Sequence, residues 1–146
     1  MSVVKNKRNK SSIEFESLYF KLADNIDNLV EHKFYASKEL IERNYIFLDI
    51  RCKSLEDLTD KLLFYIKIAN SIYPTCVTEY EERRTNIGKA IGTCYAMLTH
   101  LQRIMMRLKV NDNKYVEYIE TIAKMINSLK AWRKSGNKFK TALENK

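Results

Sequence analysis

The chain has 146 residues, with 26 Lys and Arg against 18 Asp and Glu for a net charge of +8, and only three glycines and one proline. That length suits one domain burying roughly 70% of the unfolded chain's surface, so no disulfide or structural metal is needed to hold a core. Scarce turn residues beside plentiful Leu, Ile, Lys, Glu and Asn exclude a fold of many short strands and predict an all-α protein. Cys52, Cys76 and Cys94 are odd in number and far apart, which argues for free thiols in a reducing compartment. No apolar h-region follows the charged start Met1-Ser-Val-Val-Lys-Asn-Lys-Arg8, and no run nears the roughly eighteen apolar residues of a membrane span. The expectation is a soluble cytoplasmic protein.

Residues 1–12, with Lys5, Lys7, Arg8 and Lys10, read as a basic flexible N-terminal tail. Residues 13–135 read as the helical domain, and 136–146 as a basic flexible C-terminal tail. A first helix is expected from an N-cap at Ser12 to Glu31, with Phe15, Leu18, Tyr19, Leu22, Ile26, Leu29 and Val30 on one side. From His32 to Lys53 the apolar residues show no clean period, and the stretch reads as a helical lead-in. Ser54 with Asp57 resembles a cap, after which Leu55, Leu58, Leu62, Tyr65, Ile66, Ala69 and Ile72 keep helical spacing as far as Tyr73-Pro74. Thr78 and Glu81 form a capping-box pattern that opens a third helix running to Val110. Asn111-Asp112-Asn113 marks a turn. The fourth helix carries Tyr115, Tyr118, Ile119, Ile122, Met125, Ile126, Leu129 and Trp132, and is expected to stop at Ser135-Gly136-Asn137 with the glycine left-handed. Long amphipathic helices with short connections predict an antiparallel up-and-down four-helix bundle.

The third helix is the most informative. Its seam reads Tyr80, Arg84, Ile87, Ile91, Cys94, Leu98, Leu101, Met105, Leu108, in alternating steps of four and three that keep apolar groups facing partner helices. Advancing about 100° per residue, Lys89, His100, Arg103 and Arg107 form a stripe nearly opposite that seam, expected to be exposed. A further face holds Gly88, Gly92, Tyr95, Thr99 and Met106. Each mid-helix glycine costs about 1 kcal/mol against alanine, which close approach of another backbone would offset. That backbone belongs either to this chain or to a second subunit. Charge follows the same division: residues 13–82 balance at −6, whereas Arg83 to Val110 hold six cations and no acid. The net positive charge is carried by residues 1–12, at +4, and 130–146, at +5.

Catalytic patterns are missing. An inward-facing Glu-x-x-His pair is required for a di-metal bundle, but Leu29 precedes His32 and Met97 precedes His100 by three, so neither a metal nor another cofactor is expected. No glycine-rich phosphate loop, Cys-x-x-Cys or His-Glu-x-x-His occurs. Cys94 lies on the apolar seam, where a thiol is core rather than nucleophile. The expectation is a protein that is not an enzyme. Clustered cations suit nucleic acid, because each neutralised phosphate releases counterions without sequence readout. The same stripe also fits plain solvated charge, and the residues alone leave both readings open.

Three phrases carry a family resemblance: Ile68-Ala-Asn-Ser-Ile-Tyr-Pro74, Glu82-Arg-Arg-Thr-Asn-Ile-Gly-Lys-Ala-Ile-Gly-Thr-Cys94 and Leu129-Lys-Ala-Trp-Arg-Lys-Ser-Gly-Asn137. Together they resemble the accessory variability determinant proteins of diversity-generating retroelements. The similarity is spread over residues 65–138 and is weak over 16–64. Ile87 departs from the glutamine common in such sequences. The resemblance implies a basic non-enzymatic four-helix bundle, assembled as a homo-oligomer, a pentamer, that works with a reverse transcriptase and its template RNA or RNA/DNA hybrid. That implication fits the residues: Lys89, Arg103, Arg107, Lys109, Lys130, Arg133 and Lys134 are the candidates for polymerase or nucleic-acid contact, and Gly88, Gly92, Tyr95, Thr99 and Met106 for a subunit interface. A helical adaptor or structural protein that binds protein partners without nucleic acid is the alternative.

Overall fold

A computed structural model describes residues 2–110 and 112–145, with side chains from Phe15 onward apart from 112 and 114. The side chains of Lys5, Lys7, Arg8, Lys10 and Ser12, and residue 111 of the expected turn, lie outside the described residues. Among the described residues the protein is all-helical and has no strand: α1 (Ser2–Glu31), α2 (Lys38–Arg43), α3 (Tyr45–Ser71), α4 (Val77–Leu108), α5 (Asp112–Ser135) and α6 (Asn137–Glu144). Helix α3 has its largest interface with α4; α4 then packs on α5, α5 on α1, and α1 back on α3, a closed circuit of contacts. Inside it lie Leu22, Ile26, Leu29, Leu55, Leu62, Met97, Leu101, Ile104, Tyr115, Ile122 and Met125, all fully buried. Each such side chain contributes about 1.5–3 kcal/mol of burial free energy, enough to outweigh the weak intrinsic propensities of the helices. A buried polar bond, Asn25 Nδ2 to Thr121 Oγ1 at 3.0 Å, ties α1 to α5.

Several local expectations are corrected. Helix α3 passes through Ser54 without restarting, because Leu48, Leu55, Thr59, Leu62, Ile66 and Ala69 form one buried row across it. Thr59 hid that row: a polar residue stands at a core position, its hydroxyl satisfied by the Leu55 carbonyl at 2.8 Å. Helix α4 begins after Cys76, not Thr78, and the carboxylate that closes its first turn is that of Glu79, accepting from the Thr75 backbone N–H at 3.1 Å and from the Thr75 hydroxyl. Gly136 is right-handed, φ −69°, and the left-handed cap belongs instead to Lys109 at the end of α4, φ 50°. A Cβ at 136 would sit tightly against the Arg133 carbonyl, at 3.3 Å, and in ordinary contact with Tyr80 at 3.7 Å. Helix α1 starts ahead of Ser12, and α6 occupies most of the stretch expected as a C-terminal tail.

The chain leaves α1 through a turn that no residue type announces. Lys33, Phe34 and Tyr35 all have positive φ, at 51°, 59° and 56°. Left-handed backbone costs a non-glycine residue about 1–2 kcal/mol. What holds it is tertiary: Phe34 is buried, its carbonyl accepts from the Tyr115 hydroxyl at 2.6 Å, and the Tyr35 and Tyr118 hydroxyls bond at 2.9 Å. This reversal delivers α2 and the start of α3 to the side of α4 that carries its cations.

Candidate nucleic-acid interface

The stripe on α4 is flanked by α3. Lys89, Arg103 and Arg107 are exposed, but their stems lean across onto α3 aromatics: Lys89 Nζ lies 5.8 Å from the Tyr65 ring centre, and the Arg103 and Arg107 guanidiniums lie 5.7 and 4.7 Å from that of Phe47. Arg51 of α3 brings a third guanidinium to the same ring, at 5.3 Å. His100, expected to be exposed with the stripe, is half-buried because it faces Arg51, with 3.1 Å between Arg51 Nη1 and His100 Nδ1. Arginine has only donors, so Nδ1 accepts and the imidazole is neutral with its proton on Nε2. Burial lowers the His100 pKa, and the charges of Arg51 and Arg103 lower it further.

Electrostatically this is a cluster of like charges. Among the described residues no carboxylate lies within ion-pair distance of Arg51, Arg103 or Arg107. Arg51 Nε is buried without an acceptor, and burial followed by the Arg103 charge pushes the Arg51 pKa down. Two guanidiniums about 8 Å apart repel by about 0.5–2 kcal/mol at effective dielectrics of 80 to 20. A cation over an exposed ring returns about 0.5–1 kcal/mol, so Phe47 offsets part of the repulsion and an anion would relieve more. Beside the cluster lies an open hollow of ≈ 340 Å³ lined by Phe47, Arg103, Met106 and Arg107.

The other cations expected to act sit elsewhere. Lys130 of α5 donates to the Tyr95 hydroxyl at 2.8 Å, on the glycine face of α4. Arg133 lines a small crevice with Tyr80, Arg83, Arg84, Trp132, Gly136 and Phe139, toward the N-terminal end of α4. There Trp132 is a core residue, buried with its ring 4.8 Å from Phe15, and the Arg83 guanidinium covers it at 5.2 Å. Lys134 is exposed near the end of α5, and Lys109 is the left-handed cap of α4. On the glycine face, Tyr95, Thr99 and Met106 are exposed, and a Cβ placed on Gly88 or Gly92 would meet nothing within 4 Å. Among the described residues, therefore, no other part of the chain packs closely on these glycines.

A second cluster of like charge, acidic this time, occupies the α1 side of α3. Glu56 has its pKa raised from 4.5 to about 7, first by burial, then by a hydrogen bond to Asp27 and the charges of Asp27 and Asp60. Tyr19 beside it is raised by burial and by Asp60, Asp27 and Glu56. Among the described residues no group of His, Cys, Asp and Glu is arranged to hold a metal, and no helix is long and apolar enough to cross a membrane. Cys94 is fully buried and its thiol is pushed up to about 12 by that burial. Sequence reasoning missed Phe47 and Arg51, which lie in the aperiodic stretch; the signal available was an aromatic and an arginine four residues apart, facing the same way on a helix. No known protein family, curated protein or solved structure matches this chain.

Proposed function

We propose that this protein is an antiparallel up-and-down four-helix bundle acting as a non-enzymatic accessory factor of a diversity-generating retroelement, holding a reverse transcriptase and its template RNA through the cationic side of α4. The observation that carries the reading is the set Lys89, Arg103 and Arg107, exposed on one helix with no carboxylate within ion-pair distance among the described residues. Such a surface gains by releasing phosphate counterions, and repetition around an oligomer multiplies it. The closed circuit of α1, α3, α4 and α5 supports the bundle. The open glycine face supports assembly of several copies, a pentamer by the resemblance. A second reading, an adaptor that grips protein partners only, is favoured by exposed Tyr45, Ile46 and Met106, which are 66%, 62% and 80% accessible.

Changing Lys89, Arg103 and Arg107 together to Glu is expected to weaken binding to single-stranded RNA at least about 100-fold, while circular dichroism keeps its helical signal. Unchanged RNA binding would sink the accessory reading. With five or six phosphate contacts, log affinity falls against log salt with a slope of roughly −4, whereas a flat line selects the adaptor. Native mass spectrometry then tests the pentamer directly.

A further inference from the structure

The cluster around Phe47 has features that a diffuse basic surface lacks. Its three guanidiniums converge on one ring, from residues spaced by four on α3 and by four on α4, so both backbones fix their relative positions. One of them, Arg51, is anchored by His100 and has a buried Nε that lacks an acceptor. Guanidiniums keep their protons, so this excess of donors and of positive charge is not discharged by titration. The adjoining hollow, ≈ 340 Å³, is open to solvent, and two of its four lining residues are Arg103 and Arg107.

We infer that this hollow is a discrete site for one phosphate group. Arg103 and Arg107 hold its oxygens, Phe47 walls the site, and Arg51, positioned by His100, supplies a third fixed positive charge beside the ring. Planar guanidiniums suit this task because each offers two parallel N–H groups to an oxyanion. The phosphate is either a link in an RNA backbone or a free phosphate or nucleotide. The first source deepens the proposed function and rests on it; the second does not.

Inorganic phosphate is titrated into the full chain against chloride at equal ionic strength, following the arginine Nε–H resonances. Saturable shifts at Arg103 and Arg107 are expected. R107Q, an exposed substitution that spares the core, should weaken them about 10-fold, R51Q should weaken them less, and K53Q, an exposed α3 cation paired with Asp49, should leave them unchanged. Non-saturating shifts, or a loss from K53Q equal to that from R107Q, would overturn the site in favour of a diffuse field. A uridine oligonucleotide is then added as competitor. If it displaces phosphate at the same resonances, the bound group is a backbone phosphate. Saturation by phosphate or uridine monophosphate without competition by the oligonucleotide upholds the site and counts against RNA as its source. RNA binding that leaves Arg103 and Arg107 unmoved removes the site and spares the proposed function.

Discussion

Helix α3 has an acidic cluster on one side and a basic cluster on another, and the two solve the same problem differently. Toward α1, Glu56 stands near Asp27 and Asp60; toward α4, Arg51 stands near Arg103 and Arg107. Crowded carboxylates can take up a proton, and burial followed by the acidic neighbours raises the Glu56 pKa to about 7, which brings that uptake near neutral pH. Crowded guanidiniums have no such exit, because they stay protonated at any pH the fold tolerates. His100 stands beside them, and burial followed by the charges of Arg51 and Arg103 lowers its pKa, so it adds no negative charge. Relief on the acidic side can therefore be internal, while on the basic side Phe47 and solvent offset part of the repulsion and an anion would relieve more. Of the two clusters, only the basic one is built to need a partner.

The most direct way to break this contrast is to give the basic side its own carboxylate. Met106 is 80% exposed and lines the hollow beside Arg103 and Arg107. If the chain binds RNA as proposed, Met106→Glu should weaken that binding about 10-fold, or about 1.4 kcal/mol, in a filter-binding titration, with native mass spectrometry showing the same assembly as the parent. The same change should raise folding stability by no more than about 0.5 kcal/mol, the worth of an exposed ion pair. RNA affinity that stays put would mean that the hollow is not on the binding path.

On the acidic side the contrast is sharpened by pH. Glu56 has a higher pKa folded than unfolded, so the native state binds the extra proton between the two values. Its contribution is fully present below about pH 4.5 and is lost as pH rises through about 7. The group is half-exposed, so solvent screening reduces the effect to about 1 kcal/mol, or a few degrees in melting temperature. Melts of the parent chain and Glu56→Gln across this range should diverge by that amount above pH 7 and converge below pH 5. Parallel curves would show that the carboxylates do not share the proton.

The two clusters were unequally legible in the sequence. Much of α4 follows from its heptad, and Arg103 and Arg107 fall on one stripe by arithmetic alone. Their partners were hidden, because Tyr45, Ile46 and Ile50 put large apolar groups on the solvent side of α3 and erase the amphipathic period there. Thr59 blurred the same helix further on. The left-handed turn at Lys33–Tyr35 was beyond local reading: its stabilisation comes from Tyr115 and Tyr118, some eighty residues away. Where Arg51 meets Arg103 is set by the packing of α3 on α4, a contact between residues about fifty positions apart, so the cluster was invisible although each residue was in plain view.

The finest probe of the contrast is a thiol on the acidic side. The Cys52 pKa is raised first by burial, then by Glu56 and Asp49, with Lys53 pulling the other way. Thiolate is the reactive form, so iodoacetamide should modify exposed Cys76 first, half-buried Cys52 next and buried Cys94 last. Removing one like charge about 6 Å away is worth about 0.7 kcal/mol in water-like surroundings. Glu56→Gln should therefore speed Cys52 alkylation about threefold at pH 8, where Glu56 is ionised. Below pH 6 the two chains should react alike, since Glu56 in the parent already holds its proton. A threefold gap that persisted at low pH would point to a packing change and not to charge. Its disappearance would place on this one helix a charge that the protein can switch off, opposite a set of charges that it cannot.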